Sequence, residues 1–269
     1  MNRSSFLCFL FFLLAVSLVS TSCTSQCMQR QVRNSRTVVL DIGHHMGAPG
    51  AATPNGRHGG MMNECSWWYR NVGFVKQEIE KAGYICKVCN RGAAPRDPEL
   101  AACARRAGVH QVNTPQPGAV YRSRHNPRRM AVGILSADYA LDQKPACVVF
   151  LHHNSNSEHW QVYTKGGIYC NAVGIPLANA LVAELNAKLM NSRIPNGGEP
   201  VQPILRDDGR LGGGDWLNTC NDSWVPAAIT EAVFLSNPQH AAWLAKPRNA
   251  ELYARTVGRG IVRYLNNRR

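Results

Sequence analysis

The sequence predicts an α/β fold in which a mostly parallel, twisted β-sheet is covered by helices on both faces. Four apolar runs have the length and composition of buried strands, at 37–44, 84–91, 146–154 and 226–237. Segments with helical spacing of apolar residues lie between and after them, at 63–83, 128–142, 175–190 and the C-terminal end. Strands that alternate with helices favour a parallel sheet, because a parallel connection needs a crossover.

The first strand and the helix after it are the most regular part of the chain. The run TVVLDIGH at 37–44 is apolar and β-branched, so we expect a buried strand that leads into a loop rich in Gly and Pro. The helix predicted over 63–83 ends at Gly83, a residue typical of C-terminal caps. Its apolar residues recur at helical spacing and should face the core: Trp67, Trp68, Val72, Val75 and Ile79.

The segment 92–129 departs from this regular pattern. It is rich in Arg and Pro, and we expect irregular structure there. It is either a basic insertion that covers a site or binds a partner, or a solvated loop with structural cysteines. The two prolines at 199–207 favour an edge strand. We assign 37–269 to one domain, preceded by a short linker at 23–36.

The first 22 residues have the features of a secretory signal peptide. Arg3 supplies a positive charge, an apolar run covers 6–19, and small residues at 20–22 offer a cleavage site. The apolar run is shorter than a membrane span, although an uncleaved N-terminal anchor stays the alternative. We therefore expect the rest of the chain to be exported, to the periplasm or cell envelope.

Nine cysteines remain after Cys8 of the signal peptide is set aside. If Cys23 carries a lipid, eight are left, enough for up to four disulfides in an oxidising compartment. Ordinary cleavage that leaves one free thiol is the alternative. Cys86 and Cys89 should point to opposite sides of a strand, so we expect buried or disulfide-bonded structural cysteines rather than a metal or redox site.

The exported part of the chain is strongly basic. Arg3 is the only charged residue of the first 22, so the rest carries 29 basic and 17 acidic residues, a net charge of +12. An anionic envelope polymer is a plausible partner, with simple solubility as the alternative explanation. Nucleic acid is not expected, because the chain is exported and has no alternation of aromatic and basic residues.

Polar residues mark three of the predicted strand ends: His44 with His45, His152 with His153, and Glu231 within the last run. Ligands of parallel α/β sheets bind at the carboxyl ends of strands, and polar groups in apolar runs are costly unless they are paired or bind something. Two histidines and a carboxylate with an open position are the ligand chemistry of a catalytic zinc. Adjacent residues on an extended segment face opposite sides, so we expect only one of His44 and His45 to reach one metal ion.

The chain resembles the zinc-dependent N-acetylmuramoyl-L-alanine amidases (amidase type 3), a family of cell-wall hydrolases. Four motifs carry the resemblance, in the family's order: VVLDIGHHMGAPGA, NECSWWYRNVGFVKQEIEKAGYICKVCNR, CVVFLHHNSNS and PAAITEAVFLSN. The match runs from Thr37 to about Leu265. It implies a zinc-hydrolase architecture of the phosphorylase/hydrolase-like type.

The resemblance also implies a site and a reaction. His44, Glu64 and His152 take the positions of the zinc ligands, and Glu231 takes that of the catalytic carboxylate. The substrate implied is peptidoglycan, cleaved at the amide between N-acetylmuramic acid and the L-alanine of the stem peptide. A carboxylate outside the ligand set can take a proton from water and return it to the leaving nitrogen.

The chain departs from the family pattern at three positions. His45 and Val233 stand where the family commonly has glycine, and His153 stands where it has a small residue. The two histidines either narrow the cleft or bind substrate carboxylates, or they are neutral variation on a polar rim.

Three further polar residues are left out of the catalytic set. Asp41 either orients the ligand His44 or caps the turn after the strand. Asn154 and His58 have the same ambiguity.

Two functions from different classes follow. The first is a monomeric zinc amidase that hydrolyses peptidoglycan. The second is a non-catalytic, peptidoglycan-binding envelope lipoprotein that keeps the fold and the charge. Loss of Glu231 or of a ligand would favour the second, and all four residues are present.

Overall fold

The structure is a computed structural model, and it describes residues 35–44, 46, 50, 52, 62–112, 143–154, 167–170, 172–190, 202–205 and 225–268. The strands in chain order are β1 (Thr37–Ile42), β2 (Ile85–Arg91), β3 (Val109–Val112), β4 (Cys147–Leu151), β5 (Gly167–Cys170), β6 (Gln202–Leu205) and β7 (Ala227–Glu231). The helices are α1 (Glu64–Lys81), α2 (Pro98–Ala107), α3 (Ile175–Leu185), α4 (Pro238–Leu244) and α5 (Pro247–Asn267).

The strands form one mixed sheet in the order β3-β2-β1-β4-β7-β5-β6. The first five strands in this order, β3, β2, β1, β4 and β7, pair in parallel with their neighbours. Strand β5 then pairs antiparallel with β7 and parallel with β6. The α/β class and the mostly parallel sheet are confirmed. The edge position predicted for 199–207 is also confirmed, since β6 lies at one end of the sheet.

Both faces of the sheet are buried. Val38, Leu40 and Ile42 of β1 belong to the larger core cluster, to which all five helices contribute. Val39 belongs to a smaller cluster on the opposite face, together with Phe150 and other strand residues. The helices described thus pack against one face, and the predicted helix 128–142 lies outside the described residues.

Helix α1 forms where the sequence predicts it. The side chain of Asn63 caps its first turn by accepting a hydrogen bond of 2.8 Å from the backbone N–H of Ser66. All five apolar residues predicted to face the core are buried. Gly83 follows the helix with φ +84°, which glycine adopts at little cost, so the predicted end is confirmed.

Two predictions about local structure are corrected, and one strand was missed. The segment 92–129 is not irregular throughout, because α2 and β3 lie within it. Asp97 caps α2 at Leu100 N–H, and a proline in the first turn suits a helix start, so the local signal was present. Strand β5 was not predicted. The last strand ends at Glu231 rather than at 237, since the chain then turns to bridge Asn154 through hydrogen bonds of Val233 and Leu235.

The described cysteines leave no room for four disulfides, the largest number that the sequence allows. All six described cysteines are buried, Cys170 among them, and none of the other five forms a disulfide: Cys65, Cys86, Cys89, Cys103 and Cys147. Cys86 and Cys89 lie in core clusters on opposite faces of the sheet, as predicted. Burial raises the pKa of both thiols, and their position on opposite faces of the sheet keeps them from acting together as a redox or metal pair.

No helix in the described part of the chain is long and apolar enough to cross a membrane. The predicted signal peptide at 1–22 and Cys23 lie outside the described residues.

Candidate metal centre

Three polar side chains meet at the carboxyl ends of β1 and β4. His44 follows β1 after one glycine, and His152 directly follows β4. The two strands are adjacent and parallel, so these ends lie at the same edge of the sheet. Glu64, the first residue of α1, is the third member. The fold therefore brings together the three residues that the resemblance of the sequence motifs implied as ligands.

The donor atoms of this triad (His44, Glu64, His152) lie within 4.8 Å of one another. Nε2 of His44 lies 3.2 Å from one carboxylate oxygen of Glu64, and Nδ1 of His152 lies 2.8 Å from the other. The two imidazole rings meet edge to face with centroids 4.9 Å apart. Such an arrangement of two imidazoles and one carboxylate could hold a metal ion.

The triad is buried on its carboxylate side. Glu64 is 1 % exposed, and burial alone would raise its pKa, but the contacts with His152 and His44 outweigh burial and hold the pKa well below the usual range. Burial lowers the pKa of His152. Glu64 is therefore ionised and His152 neutral near pH 7, which are the forms that bind a metal ion.

Two glycines fit closely around the triad. A Cβ added to Gly43 would lie 2.5 Å from the carbonyl oxygen of Leu151 and 2.6 Å from Cε1 of His152. A Cβ added to Gly50 would lie 2.4 Å from Cδ2 of His44 and 2.5 Å from Oε2 of Glu64, and Gly50 has φ +80°. Both positions therefore require glycine for steric reasons, and Gly50 for its backbone conformation as well.

Glu231 lies beside the triad, at the end of the neighbouring strand. Strands β4 and β7 pair in parallel with Leu151 opposite Thr230, so the next residues, His152 and Glu231, lie side by side. Glu231 is 6 % exposed, and its Oε2 has no hydrogen-bond partner among the described residues. Burial, reinforced by the negative charge of Glu64, raises the pKa of Glu231 well above its ordinary value.

The prediction for His153 is wrong. It lies neither in a cleft nor on a polar rim, because its ring is 2 % exposed and packed among aromatic side chains. The ring stacks on Trp68 at 5.1 Å and meets Trp67 edge to face at 4.6 Å. Tyr253 of α5 lies on a further side at 5.6 Å. Burial lowers the pKa of His153 to about 3, so the imidazole is a neutral core residue.

The remaining candidates separate into described and undescribed residues. Asp41 is buried on β1. The backbone N–H of Asn154 donates to Val233 at 2.8 Å and its carbonyl accepts from Leu235 at 3.1 Å, so Asn154 joins β4 to the turn after β7. His45 and His58 lie outside the described residues.

No protein-family model matches the chain. No curated protein is similar to it in sequence.

Several solved structures share its fold. The CwlD amidase from Clostridioides difficile, solved in complex with the GerS lipoprotein, gives a TM-score of 0.58 at 18 % identity and covers 86 % of this chain and 98 % of that one. The catalytic domain of CwlV, an N-acetylmuramoyl-L-alanine amidase from Bacillus (Paenibacillus) polymyxa, gives a TM-score of 0.52 at 16 % identity. It covers 86 % of this chain and 98 % of that one. Cwp6 from Clostridium difficile gives a TM-score of 0.56 at 15 % identity. The similarity covers 84 % of this chain and 29 % of the Cwp6 chain.

The chain has the amidase fold. The architecture that the sequence motifs implied is therefore confirmed. The chain spans nearly the full length of the CwlD and CwlV structures but under a third of Cwp6.

Sequence reasoning missed one buried residue that lies next to the triad. Asn90, the sixth residue of β2, is fully buried and contacts the backbone of His44. A signal was present, because an amide side chain inside the strand run ICKVCNR is costly to bury without partners. Its partners lie 46 and 48 residues away, and no local pattern identifies them.

Proposed function

We propose that this chain is a zinc-dependent N-acetylmuramoyl-L-alanine amidase that hydrolyses peptidoglycan. The observation that carries the proposal is the convergence of His44, Glu64 and His152, with Glu231 beside them, on the fold of structures named as such amidases. The reaction would be cleavage of the amide between N-acetylmuramic acid and the L-alanine of the stem peptide.

His44, Glu64 and His152 would hold the metal ion. The donor set of two imidazoles and one carboxylate, held in ligand-ready protonation states, fits zinc with a coordination position left open. Bound there, zinc would polarise the scissile carbonyl and increase the acidity of a water molecule.

Glu231 would carry the proton. Its carboxylate lies outside the triad, and its pKa is raised by burial, which makes it a stronger base than an exposed glutamate. It would take a proton from the attacking water at its free Oε2 and deliver it to the nitrogen of the leaving L-alanine. Protonation of that nitrogen is what allows the amide bond to break.

The charge of the chain suits this substrate. The predicted exported part has a net charge of +12, and stem peptides carry carboxylates. Attraction between the two would speed encounter and weaken with salt. We propose export to the periplasm or envelope as a monomer, with lipid attachment at Cys23 as the route to a membrane.

Digestion of purified sacculi tests the proposal. Wild-type protein with zinc should release peptides that begin with L-alanine, detected by mass spectrometry, and should create no new reducing sugar ends. Glu231→Gln should lower the rate about 100-fold or more, because it keeps the shape but cannot accept a proton. Glu99→Gln is the matched control, since Glu99 is an exposed partner of Arg70.

The alternative is a non-catalytic, peptidoglycan-binding lipoprotein. It predicts that wild-type protein sediments with sacculi but releases no peptide with zinc present. Full activity of Glu231→Gln would instead support the proposal that the chain is an amidase and would show that Glu231 has no role in its mechanism.

A further inference from the structure

His44 has an unusual backbone conformation for a ligand. Its φ is +64°, in the left-handed region that residues with a Cβ seldom adopt. In the described part of the chain the only other residue of this kind is Lys144. A strained conformation persists only where surrounding contacts hold it, so the contacts of His44 identify what aims this imidazole at Glu64.

The side chain of Asn90 makes hydrogen bonds with the backbone of the turn that contains His44. Its Nδ2 donates to the carbonyl oxygen of Ile42 and to that of His44, both at 2.8 Å. The two carbonyls lie on either side of Gly43, so one amide group bridges the turn that connects β1 to His44. Asn90 is fully buried, so these two hydrogen bonds are shielded from bulk solvent.

The amide of Asn90 is itself held in place from the other side. Tyr69 of α1 donates its hydroxyl proton to Oδ1 of Asn90 at 2.9 Å, and Nε2 of Gln111 on β3 donates to that hydroxyl at 3.0 Å. This fixes which end of the amide faces the turn, because Oδ1 is the acceptor and Nδ2 is left to donate. A chain of hydrogen bonds thus runs from β3 through α1 and β2 to His44.

We propose that Asn90 is a positioning residue for metal binding, which holds His44 in its left-handed conformation and so keeps Nε2 beside Glu64. Tyr69 supports it by orienting the amide. The inference rests on the metal-binding part of the proposed function. It assigns the geometry of the first ligand to a residue that touches neither the metal position nor the substrate.

Zinc affinity of purified protein tests this directly. Asn90→Leu keeps the number and branching of the side-chain heavy atoms but removes both N–H donors, and we expect a dissociation constant about 10- to 100-fold higher, the range for contacts that orient ligands. Tyr69→Phe removes only the orienting hydroxyl, so we expect roughly a fivefold increase. Each value comes from competition with a chromophoric chelator.

Asn71→Leu is the matched control. Asn71 is a buried asparagine on α1 whose Nδ2 donates to the carbonyl of Trp67 at 2.8 Å, so the same substitution also removes a buried hydrogen bond. Its zinc affinity should stay within twofold of wild type, even where its metal-free melting temperature falls as far as that of Asn90→Leu. The visible spectrum of the Co²⁺-loaded protein should change with Asn90→Leu and not with Asn71→Leu.

The outcomes separate the two proposals. Wild-type protein that fails to bind zinc would overturn the proposed function itself. Tight binding by wild type together with equal affinity in Asn90→Leu, or equal losses in the Asn90 and Asn71 variants, would overturn the positioning role alone. If Asn90→Leu does not fold, the Tyr69→Phe measurement decides in the same way.

Discussion

The backbone N–H of His153 donates a hydrogen bond of 2.9 Å to Oε1 of Glu64. The same oxygen lies 2.8 Å from Nδ1 of His152, so two consecutive residues after β4 hold one end of the carboxylate. The ring of His153 meanwhile packs among Trp67, Trp68 and Tyr253. His153 therefore joins the candidate metal centre to the aromatic core through its backbone, while its imidazole serves in packing.

Replacing His153 should test this division of roles. Both ring nitrogens lack hydrogen-bond partners in the described structure, so His153→Leu, of similar volume, should change the free energy of unfolding by less than about 1.5 kcal/mol. His153→Ala leaves a cavity and should cost about 2–4 kcal/mol. Urea unfolding of the metal-free protein measures both. Loss of zinc binding in a stably folded His153→Leu variant would show that the imidazole acts in the site.

Metal removal should distinguish His44 from its neighbour. Zinc that binds only the folded state raises the melting temperature, so chelation of the wild type should lower it and added zinc should restore it. His44→Ala should show no zinc-dependent shift. His45→Gly should keep the shift, because the triad contains His44. The reverse pattern would mean that the two histidines have been assigned in the wrong order.

Gly50 should tolerate no side chain. In Gly50→Ala the new Cβ meets both His44 and Glu64 at a backbone angle that favours glycine, so we expect zinc affinity to fall at least tenfold. Gly73→Ala is the control, since nothing lies within 4 Å of a Cβ there. Gly73 lies inside α1, so the free energy of unfolding of this variant should rise by about 0.5–1 kcal/mol, and its zinc affinity should equal that of the wild type. Isothermal titration with zinc measures the comparison, and equal affinities would contradict the close fit.

His240 should contribute to the acid sensitivity of the fold. Its ring is buried on α4, where Nδ1 accepts a hydrogen bond of 3.2 Å from the backbone N–H of Phe234. Burial lowers the pKa of His240 to about 4. Its ordinary pKa is about 6.5, so the unfolded chain binds a proton there more readily than the folded one. The stabilisation is complete above about pH 6.5 and is lost as the pH falls toward 4.

His240→Asn should reduce this dependence, because an amide oxygen can accept from Phe234 and does not titrate. Between pH 7 and 4.5 the wild type should lose about 2 kcal/mol more unfolding free energy than the variant. Guanidinium unfolding at several pH values measures the difference. Parallel curves for the two proteins would show that His240 is not the group responsible.

The sequence alone determined the features that depend on local patterns. Apolar strand runs and the helical spacing from Trp67 to Ile79 predict the α/β class and α1, because burial of one face imposes a period on the chain. The polar residues at strand ends predict where a site lies, since parallel strands end at one edge. Strand β5 was missed because it has four residues and pairs only with distant strands.

Only the tertiary structure decided what each polar residue does. His152 and His153 are adjacent and chemically identical in the sequence, yet one joins the triad and the other enters the aromatic core, because α1 and α5 bring Trp68 and Tyr253 to that side of the chain. In the sequence, Asn90 is only a polar residue within an apolar strand. The structure gives it a role, because two carbonyl oxygens at the end of β1 accept hydrogen bonds from its side chain. Local periodicity shows which residues are buried, whereas partners far apart in the chain determine whether a buried polar group binds, orients or packs.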